Sequence, residues 1–261
     1  MEAERSITDH HFIITGGAGG IGGAVADQLA AAGARLSLMG RTAENLRLKA
    51  QSLPQAVAIV CDITDEAQVQ NAVEEARKHC GPLHGVINAA GEVKSASIAK
   101  TSPSLLREMM EVHVTGPFLV MQATMTEMQT QGYGRIINVA STAALRGYDY
   151  TAAYTAAKHG LLGLSRVAAL ELAGSGVTIN TICPGFVQTG LLDRTIAQLQ
   201  KKTGQSAAQL RQAFAAKNTG GTLLQPQDVA MEVMAFCRPD AHQRHGEVIE
   251  IPRVAYQGVS Q

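Results

Sequence analysis

One stretch decides the fold: Phe12-Ile13-Ile14-Thr15-Gly16-Gly17-Ala18-Gly19-Gly20-Ile21-Gly22-Gly23. Its apolar start predicts a short buried strand, its glycines predict a tight turn, and the apolar spacing beyond them predicts a helix that Gly33 ends. Glycines let the backbone approach a pyrophosphate, and a helix N-terminus offers free N–H groups to that anion. The stretch therefore predicts a dinucleotide-binding strand, turn and helix; the alternative is a glycine loop that only reverses the chain.

Strand and helix patterns alternate through the rest of the 261 residues. Further strands are predicted at 36–39, 56–61, 83–87, 136–139, 177–182 and 247–251, and long helices at about 104–129, 151–173 and 226–236. Alternation of this kind predicts one parallel sheet covered by helices on both faces. The polar, Gln-rich segment from about 190 to 222 follows a strand end, where loops that cover substrates belong. We expect a single α/β domain over 1–261 with a substrate lid at about 190–222.

The ends of the second and third strands indicate which dinucleotide binds. Gly40-Arg41 offers a guanidinium and no carboxylate, which favours the 2′-phosphate of NADP over the 2′-hydroxyl of NAD. The alternative for Arg41 is an ordinary arginine at a helix start. Asp62 could accept a hydrogen bond from the adenine amino group, or Asp62 or Thr64 could cap the helix that begins near Glu66.

A reactive centre is indicated by Tyr154, Lys158 and Ser141. Tyr154 and Lys158 are four residues apart on a predicted helix and therefore share one face. A neighbouring ammonium favours the phenolate and lowers the pKa of a tyrosine, which makes the pair an acid or base. Ser141 follows an apolar strand, so its hydroxyl could polarise a carbonyl group beside the tyrosine. The alternative is a surface tyrosine–lysine pair near an unrelated serine.

Composition restricts the partners. Lys+Arg and Asp+Glu both number 22, and this balance argues against nucleic acid or an anionic membrane as the main partner. The four cysteines lie far apart without the spacing of a metal site or a disulfide framework, and no metal is predicted. The charged N-terminus precedes no apolar run of signal length, and no segment approaches the length of a membrane span. We expect a cytoplasmic protein.

Together these motifs resemble the short-chain dehydrogenase/reductase family from about Phe12 to Ile251. The resemblance implies a doubly wound Rossmann-type sheet of seven strands, usually in homodimers or homotetramers built on the two long helices. It implies that Tyr154 exchanges a proton with the substrate oxygen, that Ser141 orients this oxygen, and that Lys158 holds the nicotinamide ribose and lowers the tyrosine pKa. The residues expected to contact the cofactor are Thr15, Gly16, Gly20, Ile21, Gly22, Arg41, Asp62, Ile63, Asn88, Ala89, Gly91, Tyr154, Lys158, Pro184, Gly185, Val187 and Thr189.

Three segments depart from the family pattern. The family's catalytic asparagine is replaced by His113, which could serve the same water and add a pH-sensitive step, or could pack in a helix kink without a proton role. Asn88-Ala89-Ala90-Gly91 has alanine where a second asparagine is common. Ile251-Pro252-Arg253 replaces the usual Asp-Gly-Gly, so we expect the tail from 254 to 261 to pack differently at a subunit interface.

The sequence predicts a carbonyl reductase or alcohol dehydrogenase that prefers NADP(H), with NAD(H) possible. The resemblance favours a 3-oxoacyl or 3-hydroxyacyl thioester or a related ketone. Arg146, Lys94 and Arg194 fall in segments expected near the pocket mouth, where they could bind an anionic group or remain solvated surface charges. The rival function is a cofactor-binding partner subunit or sensor without turnover, which the His113 replacement would suit and an intact Ser141, Tyr154 and Lys158 would not.

Overall fold

Seven strands form one parallel sheet in the computed structural model, which describes residues 6–252. In chain order they are β1 (His11–Thr15), β2 (Arg35–Gly40), β3 (Ala56–Val60), β4 (Leu83–Asn88), β5 (Gly134–Val139), β6 (Val177–Pro184) and β7 (Val248–Ile251). Their order across the sheet is β3-β2-β1-β4-β5-β6-β7, and each neighbouring pair is parallel. The predicted doubly wound α/β class is confirmed.

Helices cover both faces of this sheet. They are α1 (Gly20–Ala31), α2 (Ala43–Gln51), α3 (Glu66–Cys80), α4 (Pro103–Met110), α5 (Gly116–Gln131), α6 (Ala152–Glu171), α7 (Gly190–Thr203), α8 (Ala207–Ala215) and α9 (Pro226–Cys237). Short 3₁₀ turns lie at Ile98–Lys100, Thr142–Ala144 and Pro239–Gln243. The segment from 190 to 222, predicted to be helical, contains α7 and α8.

Because side chains alternate along each strand, the core is divided into apolar clusters on the two faces of the sheet. On β1, Phe12 and Ile14 belong to the apolar cluster that includes residues of α1 and α9. Ile13 points to the opposite face and joins the cluster that includes residues of α3 and α5. Successive side chains of a strand alternate between faces, so a strand buried on both sides must be apolar throughout. This requirement explains why β1 reads as a continuous apolar run.

The helix predicted at 104–129 is interrupted. A π-helical turn at Glu111–Thr115 separates α4 from α5, and His113 lies within it. Pro117 has no N–H to donate, and its ring would collide with the carbonyl group four residues earlier, which is that of His113. A wider turn before Gly116 and Pro117 relieves that collision. The sequence analysis missed this turn, and the turn determines where the His113 ring lies.

The carboxyl ends of the strands meet at one edge of the sheet. The chain leaves β1 toward β2 and later returns to β4 on the other side of β1, which creates a crevice at this edge. The loops after these strands carry the predicted site residues. Among residues 6–252 no helix is both long and apolar enough to cross a membrane. The predicted packing of the tail at 254–261 lies outside the described residues.

Candidate active site

The glycine turn after β1 has the shape that a pyrophosphate requires. A Cβ atom on Gly22 would lie 2.3 Å from the carbonyl oxygen of Gly16, and Gly16 itself has a φ of +66° with Ala90 Cα 2.8 Å from its Cβ position. Helix α1 begins at Gly19 without a side-chain cap and without an acidic residue in its first turn. Its first N–H groups are therefore free to bind an anion. The turn fits the diphosphate of a dinucleotide.

A cavity of about 580 Å³ extends from this turn across the ends of β2, β3 and β4. Most residues predicted to contact the cofactor line it: Gly16, Gly20, Ile21, Gly22, Arg41, Asp62, Ile63, Ala89, Gly91 and Thr189. Thr15 lies at the end of β1, and its Oγ1 accepts hydrogen bonds from the backbone N–H groups of Ala89 (3.1 Å) and Ala90 (3.2 Å). The structure thus brings the glycine turn and the segment after β4 together around one cavity.

Asn88 does not line the dinucleotide cavity. Its side chain is buried and donates from Nδ2 to Oδ1 of Asn138, 2.9 Å away on the neighbouring strand. Asn138 in turn donates to Ser165 Oγ on α6 at 2.8 Å. This chain of hydrogen bonds joins two strands to α6, so Asn88 positions the site's framework.

Arg41 and Asp62 both line the dinucleotide cavity, just beyond the ends of the neighbouring strands β2 and β3. The Arg41 side chain is 64% exposed, and its Nη2 lies 3.8 Å from a carboxylate oxygen of Glu92. Oδ1 of Asp62 accepts hydrogen bonds from the N–H (3.0 Å) and the hydroxyl (2.8 Å) of Thr64. Helix α3 is capped by Asp65, whose side chain accepts from the backbone N–H of Gln68. The alternative that Asp62 or Thr64 caps this helix is therefore wrong.

A second cavity of about 160 Å³ adjoins the first and contains the predicted reacting groups. Ser141 and Tyr154 line it, together with Pro184, Gly185 and Val187. Ile21, Thr189 and Leu191 line both cavities, so a dinucleotide in the first would present one end to the second. A Cβ atom on Gly20 would lie 2.6 Å from Thr189 Cγ2, which shows how closely the two walls approach.

Ser141 and Tyr154 come together at the bottom of the second cavity. Ser141 precedes the 3₁₀ turn after β5, and its Oγ accepts a hydrogen bond from Ala143 N at 3.1 Å. Tyr154 lies in the first turn of α6, and its phenol is within hydrogen-bonding reach of the Ser141 side chain. A substrate oxygen placed between the two hydroxyls would contact both. Such an arrangement can orient a carbonyl group and give it a proton.

Lys158 lies one helical turn after Tyr154 and is buried. Its Nζ donates to the carbonyl oxygen of Val139 at 3.0 Å and lies 5.7 Å from the centroid of the Tyr154 ring. Burial lowers the pKa of Lys158 to about 8. The ammonium is thus held beside the tyrosine by the end of β5.

The predicted acidification of Tyr154 does not appear in the structure. Burial raises the pKa of Tyr154 to about 12, and the hydrogen bond with Ser141 opposes this only in part. The Lys158 Nζ lies 5.7 Å from the centre of the Tyr154 ring. A phenol with this raised pKa is protonated at neutral pH but is a weaker proton donor than an ordinary tyrosine, so burial alone does not activate Tyr154.

His113 is buried against Tyr154, and one of its ring nitrogens has no hydrogen-bond partner among residues 6–252. Its ring meets the tyrosine ring edge to face, with centroids 5.1 Å apart, and its Nε2 lies 2.8 Å from the carbonyl oxygen of Glu92. Because a carbonyl group only accepts, Nε2 carries the hydrogen and Nδ1 is an acceptor. Nδ1 has no hydrogen-bond partner among residues 6–252. Burial, and secondarily the charge of Lys158, lowers the pKa of His113 to about 3, so the ring is neutral at pH 7. A proton role for His113 and packing without one both stay predictions.

The three cations expected near the pocket mouth have different surroundings. Arg146 binds Glu250, and Lys94 binds Glu108, so both are engaged in ion pairs. Arg194 lines the dinucleotide cavity and adds a second guanidinium there. The interpretation of Arg146 and Lys94 as surface charges fits these pairs.

Sequence reasoning missed the aromatic wall of the second cavity. Tyr148 donates from its hydroxyl to Thr142 Oγ1 at 2.8 Å, and its ring meets Phe186 edge to face with centroids 5.5 Å apart. Lys217, at the end of the predicted lid, lies beside both rings. The available signal was position: Tyr148 lies between Ser141 and Tyr154, and Phe186 directly follows Pro184-Gly185.

Comparison with known proteins agrees with this geometry. The profile described as short chain dehydrogenase matches residues 10–200. Levodione reductase of Leifsonia aquatica is 34% identical over 77% of this chain and 78% of that protein. The 3-oxoacyl-[acyl-carrier-protein] reductase of Homo sapiens is 35% identical over 68% of this chain and 76% of that protein. A crystal structure of actinorhodin polyketide ketoreductase with NADPH superposes with a TM-score of 0.89 at 28% identity, covering 93% of this chain and 95% of that chain.

Proposed function

Because the chain belongs to the short-chain dehydrogenase/reductase family and is an oxidoreductase of CH–OH and C=O groups, we propose that it interconverts a ketone and a secondary alcohol with NADP(H). Tyr154, Ser141 and Lys158 are the proposed catalytic residues. One observation carries this proposal: the hydroxyls of Tyr154 and Ser141 lie together in a small cavity that adjoins the dinucleotide cleft.

The proposed chemistry assigns each residue a separate task. When bound, a reduced dinucleotide would supply the hydride that the carbonyl carbon receives and would become oxidised. Tyr154 would give a proton to the carbonyl oxygen, so that a secondary alcohol forms. Ser141 orients that oxygen through its hydroxyl. Lys158 stabilises the tyrosinate that remains and donates to the cofactor's ribose. The position of the Tyr154 phenol beside the Ser141 side chain in the second cavity supports the acid role.

His113 is proposed to extend the proton path. Its buried Nδ1 can accept a hydrogen bond from a water molecule that also contacts Lys158. Such a water would return a proton to Tyr154 after turnover. Its low pKa keeps the ring neutral, so it would act through hydrogen bonds and not through its own titration. Packing in the π-helical turn without a proton role is the competing interpretation.

NADP(H) is the proposed preference, with NAD(H) as a weaker substrate. Support comes from the end of β2, where Arg41 lines the cavity and no carboxylate follows the strand. The 2′-phosphate of NADP would attract this guanidinium, which is mostly exposed and only loosely paired with Glu92. Arg194 adds positive charge to the same cavity. The proposed cofactor contacts of the predicted residues that line the two cavities follow from their positions there, whereas Thr15, Asn88 and Lys158 line neither cavity.

The proposed substrates are ketones with a small apolar end. The second cavity is lined mainly by apolar groups, and 3-oxoacyl thioesters are included because relatives carry that activity in their names. The segment from 190 to 222 is proposed to act as the lid over this cavity, since Leu191 and Leu192 of α7 line it. The cytoplasmic location predicted from the sequence stays a prediction.

We also propose that the protein assembles with copies of itself through α5 and α6. Large apolar side chains on these helices are exposed: Phe118 (41%), Val167 (52%) and Leu170 (80%). A second copy would remove this apolar surface from water. Sedimentation velocity of the wild type and of a Leu170→Glu variant tests the proposal; a wild-type monomer at micromolar concentration contradicts it.

NADPH oxidation, followed optically against a panel of small ketones and acetoacetyl thioesters, tests the proposed function. We expect turnover by the wild type and a loss of about a thousandfold in Tyr154→Phe, because this change removes only the proton donor. Binding of NADPH is measured in parallel by its fluorescence and should be similar in both proteins. A non-catalytic sensor would bind NADPH but oxidise none, and undiminished turnover by Tyr154→Phe would overturn the assignment of the acid.

A further inference from the structure

Lys217 is held among three aromatic rings beside the active site. Its Nζ lies 5.9 Å from the ring centroids of Tyr148, Phe186 and Phe214. Aromatic faces attract an ammonium, but they leave its N–H groups without strong acceptors. Among residues 6–252, no carboxylate lies within 4 Å of this ammonium. Lys217 is thus a positioned cation that retains hydrogen-bonding capacity.

The rings that hold Lys217 are shared with the catalytic cavity. Tyr148 and Phe186 line the cavity that contains Ser141 and Tyr154. Tyr148 and Lys217 also line an open recess of about 470 Å³ on the outer side. The aromatic pair therefore separates the reacting groups from a recess that carries the ammonium. A substrate whose carbonyl group reaches Tyr154 would extend past these rings toward Lys217.

The catalytic cavity itself offers no place for an anionic group. No side chain that lines it within residues 6–252 is charged. Moving a carboxylate or phosphate from water into such a cavity without a partner is strongly unfavourable. A substrate with an anionic group must therefore keep that group outside this cavity, and Lys217 lines the recess that shares Tyr148 with it.

The other charges of the recess leave Lys217 as its available cation. Arg146 lines the recess but is bound to Glu250, which cancels its charge locally. Asp149 also lines the recess and would repel an anion. An anion bound there would depend on Lys217 and would gain from the removal of Asp149.

We propose that Lys217 binds the anionic group, a carboxylate or a phosphate, of the carbonyl substrate. This inference rests on the proposed function and makes it more specific, since it names anionic ketones as the preferred substrate class. The aromatic rings attract the ammonium and place it beside Tyr148, which lines both the recess and the catalytic cavity, while the Lys217 side chain itself is exposed to solvent. Residues Tyr148, Phe186 and Phe214 are positioning residues for that contact.

The test compares anionic and neutral forms of one carbonyl compound with Lys217→Met, which keeps an unbranched chain and removes the charge. The pairs are acetoacetyl-coenzyme A with acetoacetyl-N-acetylcysteamine, and 4-oxopentanoate with its methyl ester. We expect KM for the anionic member to rise about tenfold, the loss of one charge-assisted contact, with kcat little changed and the neutral member unaffected. An effect confined to the coenzyme A pair assigns a phosphate, and one confined to the oxo acid assigns a carboxylate.

Two matched variants sharpen the result. Lys202→Met removes an exposed lysine of α7 that lines neither cavity and should leave every KM unchanged. Asp149→Asn should lower KM for the anionic members only. Equal changes for charged and neutral members in Lys217→Met, or none for either, overturn the proposal.

Binding without turnover separates this proposal from the proposed function. In a Tyr154→Phe background loaded with NADPH, quenching of the cofactor's fluorescence reports binding of the same four compounds. Loss of the anionic members alone on adding Lys217→Met supports the site, and unchanged binding overturns it. Failure of the wild type to oxidise NADPH with any ketone would overturn the proposed function, while this arm would still decide the anion site.

Discussion

One buried histidine lies at each edge of the sheet, and the two differ in how many of their ring nitrogens have hydrogen-bond partners. At the amino-terminal edge, His11 contacts the Gly81 carbonyl oxygen at 2.9 Å and Ser37 Oγ at 2.8 Å, so both of its ring nitrogens have partners. At the carboxyl-terminal edge, Nδ1 of His113 is buried without a partner among residues 6–252. Buried polar groups normally find partners, so an unpartnered one marks a place where a ligand or water is expected. The contrast holds for the two histidines and not for every buried side chain, because Thr178 Oγ1 at the start of β6 also lacks a partner among residues 6–252.

The buried cations repeat this contrast. Arg135, at the start of β5, donates to the carbonyl oxygens of Gly134, Gly176, Arg238 and Pro239 and stacks on the Tyr133 ring. Lys158, near the end of the same strand, donates to Val139 O and keeps further N–H groups. One cation is saturated by the backbone, and the other retains donors that face the reacting groups.

The largest expected effect is a loss of turnover when Lys158 is replaced. Lys158→Met should lower kcat about a thousandfold, because the tyrosinate formed on proton transfer loses its positive neighbour, while the melting temperature changes little. Removing a buried charge that has one backbone partner relieves desolvation, so no loss of stability is expected. The measurement is kcat with NADPH, together with thermal unfolding.

Arg135→Met is the matched substitution at the opposite edge. It should lower the free energy of unfolding by about 3 kcal/mol, because several buried carbonyl oxygens lose their donor, and should leave kcat unchanged per folded molecule. The contrast between the edges fails if Lys158→Met destabilises as much as Arg135→Met, or if Arg135→Met loses turnover while it remains folded.

The second prediction uses the two histidines. His113→Ala should lower kcat by about ten- to a hundredfold with little change in the affinity for NADPH, because the ring contributes hydrogen bonds to the proton path. His113→Asn should recover most of the turnover, since an amide can also donate and accept. His11→Ala should reduce stability and leave kcat unaltered. Wild-type turnover by His113→Ala would leave only the packing role in the π-helical turn.

The third prediction compares two arginines of one strand. Arg35 begins β2 and donates to the carbonyl oxygens of Asp9 and Cys80, whereas Arg41 follows the end of β2 and lines the dinucleotide cavity. Arg41→Ala should raise KM for NADPH about tenfold and leave KM for NADH nearly unchanged, because only the former has a 2′-phosphate. Arg35→Ala should alter neither the KM for NADPH nor the KM for NADH. An unchanged NADPH preference in Arg41→Ala would remove the proposed role of this side chain.

The sequence predicted those parts of the molecule that follow from local periodicity. The apolar run of β1, the glycine turn, and the four-residue spacing of Tyr154 and Lys158 each encode geometry within a few residues. The position of His113 depends on a π-helical turn that Gly116 and Pro117 impose, and a smooth helical pattern does not reveal it. The raised pKa of Tyr154 depends on burial by distant segments, so a tyrosine–lysine spacing alone pointed in the wrong direction.

Long-range contacts account for the other differences. The ion pair of Arg146 with Glu250 joins residues 104 positions apart, and the grouping of Lys217 with Tyr148 and Phe186 joins the segment predicted as a lid to two separate loops. Spacing along the chain carries no information about such pairs. The same holds for Asn88, whose motif position suggested the cofactor and whose side chain instead bonds Asn138 on the neighbouring strand.

The smallest expected effect is a pH dependence of stability that arises at the amino-terminal edge. Burial, with a smaller contribution from the His84 charge, lowers the pKa of both His10 and His11 from 6.5 to about 4. Between pH 6.5 and 4 these two residues therefore bind protons in the unfolded chain but not in the folded one, so their contribution to stability falls as the pH falls through this window and is constant above it. His113, whose pKa is lowered to about 3, adds to the same fall. We expect the melting temperature to drop by ~5 °C from pH 7 to pH 5 in the wild type.

His11→Gln should show a smaller drop, whereas substituting the exposed His79 in the same way should leave the drop unchanged, because its ring is accessible to water in both states. Equal drops in melting temperature in all three proteins would show that the histidines of this edge do not control acid stability.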